Sequence, residues 1–135
     1  MILVDTSVWI DYFKALPTQE SESLAEALAV PGGVLVGDVV LLELLQGMPS
    51  PRAARIMEST LSKLPKVTLL DFSIARQAAR HYRTLRALGI TPRRTTDLII
   101  GTWCIAHDCE LLHRDRDFIP MQHHLGLRAR TAPAH

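Results

Sequence analysis

At 135 residues, 47% apolar and 21% charged, the chain has the size and composition of one globular domain, residues 1–135, able to bury a core. Its 7 Gly and 8 Pro exclude collagen-like and low-complexity classes, and 2 Cys without C-x-x-C spacing exclude a disulfide framework, leaving Cys104 and Cys109 as expected buried thiols. The net charge of +1 argues against a protein that coats nucleic acid, yet it conceals 5 Lys/Arg against 9 Asp/Glu in residues 1–75 and 10 against 5 in residues 76–135. A basic half folded on an acidic half could present both an anion-binding surface and a cation site.

In chain order, residues 2–4 read as a buried strand, and Asp5-Thr6-Ser7 suits a strand-to-helix turn with an N-cap. Val8, Trp9, Tyr12 and Phe13 fall at helical spacing, where core packing is favoured over base stacking, and a second helix covers about residues 20–29 before Pro31-Gly32-Gly33. Residues 34–36 form the next strand, followed by helices over about 39–47 and 52–62. The run 39–45, broken by Glu43, is far shorter than the roughly 20 apolar residues that cross a bilayer. With no basic region ahead of it, MILVDTSVWI does not read as a secretory signal, so a cytoplasmic location without a membrane partner is expected.

A third strand is expected over 67–70, then a long helix over 73–88 capped by Asp71 or Ser73, with Ala75, Ala78, Ala79, Tyr82 and Leu85 as its core stripe. Thr95 or Thr96 is the expected cap of a helix running to about 107, residues 111–113 a fourth strand, and a short last strand falls near Leu127. Alternating strands and helices imply an α/β fold: a mostly parallel sheet of four to five strands with helices on both faces. Ligands gather outside the carboxyl ends of such strands.

Four separated segments bring acids toward that edge: Asp5 after the first strand, Glu43 in the helix after the second, Asp97 in the first turn of its helix, and Asp115 just beyond the fourth strand. Each has a plainer reading, since Asp5 could cap a helix, Asp97 could complement a helix dipole, and Asp115 and Asp117 could be solvated turn residues. Glu43 resists one, because an unpaired carboxylate in so apolar a run costs several kcal/mol or takes up a proton. Converging carboxylates about 5 Å apart would repel by roughly 3 kcal/mol at an effective dielectric near 20. A divalent ion removes that repulsion, and an all-oxygen set suits Mg²⁺ or Mn²⁺ better than zinc.

The blocks Leu3-Val4-Asp5-Thr6-Ser7, Val39-Val40-Leu41-Leu42-Glu43-Leu44-Leu45-Gln46-Gly47, Thr96-Asp97-Leu98-Ile99-Ile100 and Leu111-Leu112-His113-Arg114-Asp115-Arg116-Asp117-Phe118 occur in that order. Together they resemble the PIN-domain family and, within it, the VapC-type toxins of toxin-antitoxin pairs, over residues 2 to about 127. The resemblance implies a PIN-like fold and an Mg²⁺- or Mn²⁺-dependent endoribonuclease, restrained by a VapB-like antitoxin and usually a homodimer. Carried over, the acidic tetrad is Asp5, Glu43, Asp97 and Asp115, with Asp117 an additional acidic position and Thr6 supporting the first acid. The implied reaction is in-line attack of metal-activated water on an RNA phosphodiester, leaving a 3′-hydroxyl and a 5′-phosphate.

Arg76, Arg80 and Arg83 recur at helical spacing, with Arg86, Arg93 and Arg94 nearby and no acid between 76 and 94. They read either as a solvated face or as a phosphate-contacting surface. Arg114 and Arg116 flank the proposed metal acids and are placed to touch substrate phosphate or hold the carboxylates. Cys104, His107, Cys109 and His113 invite a zinc reading, but the segment is needed as helix end and strand. The alternative function is a regulatory Mg²⁺-binding receiver-like module. It would want paired acids after the first strand and a late lysine, and residues 95–135 contain no lysine.

Overall fold

Three short, largely apolar and buried segments organise the molecule. In the computed structural model, which describes residues 1–130, β1 (Ile2–Val4) is buried along its whole length and lies between β2 (Val34–Gly37) and β4 (Glu110–Leu112), parallel to both. A strand covered on both faces has no polar side to show, which is why these segments read as continuous apolar runs rather than alternating ones. The β2 strand pairs in parallel with β3 (Lys66–Val67), giving a four-stranded sheet in the order β3-β2-β1-β4.

The connections are helical, as parallel pairing requires. From Asp5 the chain enters α1 (Thr6–Phe13), and α2 (Gln19–Leu28) starts from a Thr18/Ser21 capping box before returning the chain to β2. Then α3 (Asp38–Gln46) and α4 (Pro51–Leu61) lead to β3, and α5 (Phe72–Ala87) and α6 (Thr95–Ala106) lead to β4. Arg116–Phe118 forms a 3-10 turn continuous with α7 (Ile119–His124). Trp9 is buried and stacks on Phe13 with ring centroids 5.6 Å apart, so this pair serves packing.

Several expectations need correction. The third strand is two residues long and starts earlier than 67–70, because the Asp38 carboxylate accepts the Leu69 N–H at 2.8 Å and removes it from strand pairing. Leu69 then packs over Gly37, where a Cβ would meet its Cγ at 2.7 Å. Helix α6 has Arg94 at its N-cap position without a side-chain capping bond, so neither Thr95 nor Thr96 caps it. Of the stripe expected on α5, Ala75, Ala79 and Tyr82 are exposed; Ile74, Ala78 and Leu85 are buried and His81 is half-buried between them. That stripe follows the face turned to α6, where His81 Nδ1 and Thr102 Oγ1 lie 2.9 Å apart. The last strand is a single parallel bridge between Leu111 and Ala129 rather than a strand at Leu127.

Helix α6 is the spine that positions the site. Its residues Asp97 to Cys104 are all buried, and at Gly101 an added Cβ would lie 2.6 Å from Met121 Sδ. The missing side chain lets α7 sit close against α6, which draws the acidic turn ahead of α7 toward Asp97.

Candidate metal centre

Asp5 stands at the carboxyl edge of the sheet because the β1–β4 ladder runs one residue past Val4, with the Asp5 N–H donating to Leu112 O at 3.0 Å. Only 3% exposed, it does cap α1: its Oδ2 accepts from the Ser7 N–H at 3.3 Å and from Ser7 Oγ at 2.7 Å. Burial raises its pKa above the ordinary aspartate value; the Ser7 bonds oppose that rise and the Glu43 charge adds to it. The capping role and a role in the site are therefore compatible.

Glu43 is half-buried on α3 and is held from two sides. Thr6 Oγ1 donates to its Oε1 at 2.9 Å, and Thr96 Oγ1 donates to its Oε2 at 3.4 Å. The Thr6 side chain thus holds Glu43, while its backbone N–H supports Asp5 as expected. The two threonines tie α1 and α6 to the acid on α3.

Asp97, Asp115 and Asp117 converge, each offering an oxygen within 4.8 Å of the others. Asp97 is 5% exposed and its Oδ2 is buried without a hydrogen-bond partner. Its pKa is pushed up to about 7, first by burial and then by the Asp5 charge, with Arg94 pulling it down and Asp115 and Glu43 pushing it up. The same carboxyl feels the charges of the other three acids of the expected set, of which only Asp115 joins the close cluster; Asp5 and Glu43 lie outside it. Asp115 is fixed by its neighbours: its N–H donates to His113 Nδ1 at 3.2 Å, and its Oδ1 accepts from the Asp117 N–H at 2.9 Å. Because His113 Nδ1 accepts that bond, the ring proton sits on Nε2, which donates to Gln122 Oε1 at 2.8 Å.

The arginines divide differently from the expectation. Arg114 pairs with the buried Asp11 on α1, tying the β4 exit to the first helix instead of holding the clustered carboxylates. Arg116 is exposed on the rim of the open cleft above Asp115 and Asp117 and makes no ion pair among the described residues. Instead, Arg94 lies against the cluster, with Nε 3.4 Å from Asp97 Oδ2 and its Nη2 donating to Asp115 Oδ2 at 3.1 Å. Arg93 Nε stands 3.9 Å from Asp117 Oδ1. Arg94 was legible only as part of a basic stretch; its i, i+3 spacing to Asp97 was the available signal.

The zinc reading finds no support in the geometry. His107 stacks on Trp103 with centroids 4.2 Å apart, His113 serves Asp115, and Cys104 and Cys109 are buried free thiols. Among the described residues the oxygen-only aspartate trio is the one group with cation-holding geometry. A buried carboxylate oxygen that accepts no hydrogen bond, beside further acids, fits a hard divalent cation, which prefers oxygen ligands and offsets their mutual repulsion.

The model of the PIN domain matches residues 2–122. The chain belongs to the PIN-domain family. This PIN-domain chain is 30% identical to Ribonuclease VapC11 of Mycobacterium tuberculosis over 119 residues, covering 87% of this chain and 89% of that protein. Among solved structures it superposes on VapBC2 of Rickettsia felis bound to a promoter DNA fragment with a TM-score of 0.76 at 16% identity, over 96% and 98% of the two chains. A toxin-antitoxin complex from Klebsiella pneumoniae gives a TM-score of 0.72 at 19% identity over the full length of both. The four-stranded parallel sheet with flanking helices is thus the PIN architecture expected from the sequence. No helix among the described residues of this PIN domain is long and apolar enough to cross a membrane.

Proposed function

We propose that the protein is a divalent-metal-dependent endoribonuclease and the toxin of a VapBC-type pair. The observation that carries the reading is the convergence of Asp97, Asp115 and Asp117 around a buried Asp97 oxygen that accepts no hydrogen bond, in a chain whose relatives include Ribonuclease VapC11. Asp5, Glu43, Asp97 and Asp115 would hold Mg²⁺ or Mn²⁺, with Asp117 as a further ligand. When bound, the ion supplies the charge that lowers the pKa of water, polarises a phosphoryl oxygen and stabilises a leaving 3′-alkoxide.

The chain's own residues do the rest. Thr6 and Thr96 hold Glu43 in register with Asp5 and Asp97, and the His113–Asp115 bond fixes the loop that carries Asp115 and Asp117. Arg116, which makes no ion pair among the described residues, lines the open cleft beside the acids with Arg93 and can take an RNA phosphate; the products would end in a 3′-hydroxyl and a 5′-phosphate. A VapB-like antitoxin is the partner that would restrain the activity, by analogy with the complexes that share the fold.

Expression of the chain should arrest growth and degrade cellular RNA, and co-expression of the antitoxin encoded beside it should reverse both. Asp5→Asn should express as a folded protein without arresting growth. Arrest by this variant equal to wild type would reject the site assignment, and arrest with intact RNA would reject the ribonuclease reading.

A further inference from the structure

The carboxylate cluster already contains a cation, one that the chain supplies itself. Arg94 occupies the N-cap position of α6, where its side chain makes no capping bond, and its guanidinium reaches Asp97 at 3.4 Å and Asp115 at 3.1 Å. These are two of the three acids whose oxygens gather within 4.8 Å. The guanidinium stays charged at any working pH, and the positive charge it places here is of the kind a divalent ion would bring. Its side chain is 57% exposed, so it can leave for solvent without repacking the core. Arg93, one residue earlier, carries the same charge but is 81% exposed and approaches only Asp117, at 3.9 Å.

We propose that Arg94 is a built-in competitor for the divalent cation, holding Asp97 and Asp115 together until an ion displaces it. The proposal rests on the reading of this cluster as a cation site. Without the ion, three carboxylates repel at short range, and Arg94 relieves that repulsion. With the ion bound, Arg94 faces a divalent charge across the same oxygens and loses both partners. Loading is then an exchange of one cation for another, and the site's affinity for metal is set below what its carboxylates alone would give.

The test is Mn²⁺ binding without RNA, followed by electron paramagnetic resonance of free Mn²⁺ at about pH 8, above the Asp97 pKa of about 7. Wild type, Arg94→Gln and Arg93→Gln are compared, with thermal melts in metal-free and Mn²⁺-loaded buffer. Arg94→Gln should bind Mn²⁺ about three- to ten-fold more tightly than wild type, the range that losing two half-exposed ion pairs represents. Its metal-free form should melt lower than wild type and its loaded form should not. Arg93→Gln removes the same formal charge without those contacts and should change affinity less than about two-fold. Arg94→Lys, which keeps the charge but not the fork, should fall between wild type and Arg94→Gln, and it stands in if Arg94→Gln does not fold.

Unchanged or weaker binding by Arg94→Gln overturns the proposal while leaving the cation site intact. Equal tightening by Arg93→Gln also overturns it, because bulk charge rather than contact would then govern affinity. Failure of wild type to bind Mn²⁺ removes the cation site itself, and the competition with it.

Discussion

Asp97 carries a heavy electrostatic burden, because burial and three neighbouring acids raise its pKa to about 7 against Arg94 alone. The folded metal-free protein holds this proton more tightly than the unfolded chain does. The stabilisation is therefore complete below the ordinary aspartate value near 3.8 and is lost as pH rises to about 7. Asp97→Asn keeps the shape without the titration, and in metal-free buffer at pH 8 it should be more stable than wild type by about 2–4 kcal/mol. Denaturant melts across pH 4 to 8 check this, and an Asn variant less stable than wild type at pH 8 would contradict it. Glu43→Gln belongs to the same argument: it removes a charge that raises both Asp5 and Asp97. Saturating Mg²⁺ should raise the melting temperature of wild type and have little effect on this variant. Equal shifts would place Glu43 outside the cation site. Asp5, Asp97 and Asp115 were legible because each follows a strand or begins a helix, and Glu43 because it breaks an apolar run, whereas Arg114 could not be assigned: its partner Asp11 is 103 residues away and looks like any helix-face acid.

At the scale of elements, the contact between α5 and α6 fixes how Asp97 meets the sheet, and one buried polar pair sits within it. His81 and Thr102 lie 2.9 Å apart, with Thr102 fully buried. Burial, then the Arg80 charge, lowers the His81 pKa, so its contribution is present above the ordinary histidine value of 6.5 and is lost as pH falls below it, opposite in sign to Asp97. Thr102→Val keeps the volume but leaves the histidine nitrogen without its partner, and should lower stability by about 1–2 kcal/mol. An unchanged melting curve would show that the pair contributes nothing. The periodicity of α5 alone did not single out the buried face: Ala78 and Leu85 of the expected stripe are buried, but Ala75, Ala79 and Tyr82 are exposed and Ile74 takes their place. What decides is the partner helix, which a local pattern does not contain. The shortened β3 has a similar cause, since the Asp38 carboxylate that takes the Leu69 N–H comes from 31 residues earlier.

Across the whole molecule, the uneven charge of the two halves resolves into a basic rim around an acidic centre. Three of the ion pairs at the cleft, Arg93–Asp117, Arg94–Asp97 and Arg94–Asp115, lie within the basic half itself. The halves are joined by the β1–β4 pairing and the Arg114–Asp11 ion pair, and the charges of Asp5 and Glu43 from one act on Asp97 from the other. On the apolar helices α3 and α4, Val40, Leu44, Met57 and Leu61 are spent in the core, while Leu42 and Ile56 are 59% and 58% exposed. If the homodimer expected from the resemblance forms, sedimentation at micromolar concentration should give about 30 kDa, twice the 15.0 kDa chain. A single species at chain mass would contradict it. The central claim is that the gathered carboxylates hold a divalent ion that drives RNA cleavage. Its most direct test is a Mg²⁺ titration of single-turnover RNA cleavage by wild type and Asp97→Asn, side by side and with an EDTA arm. Wild type should cleave only with metal, and the variant should be slower by about 100-fold or more at every concentration. Cleavage that persists in EDTA, or a variant as fast as wild type, would contradict the account.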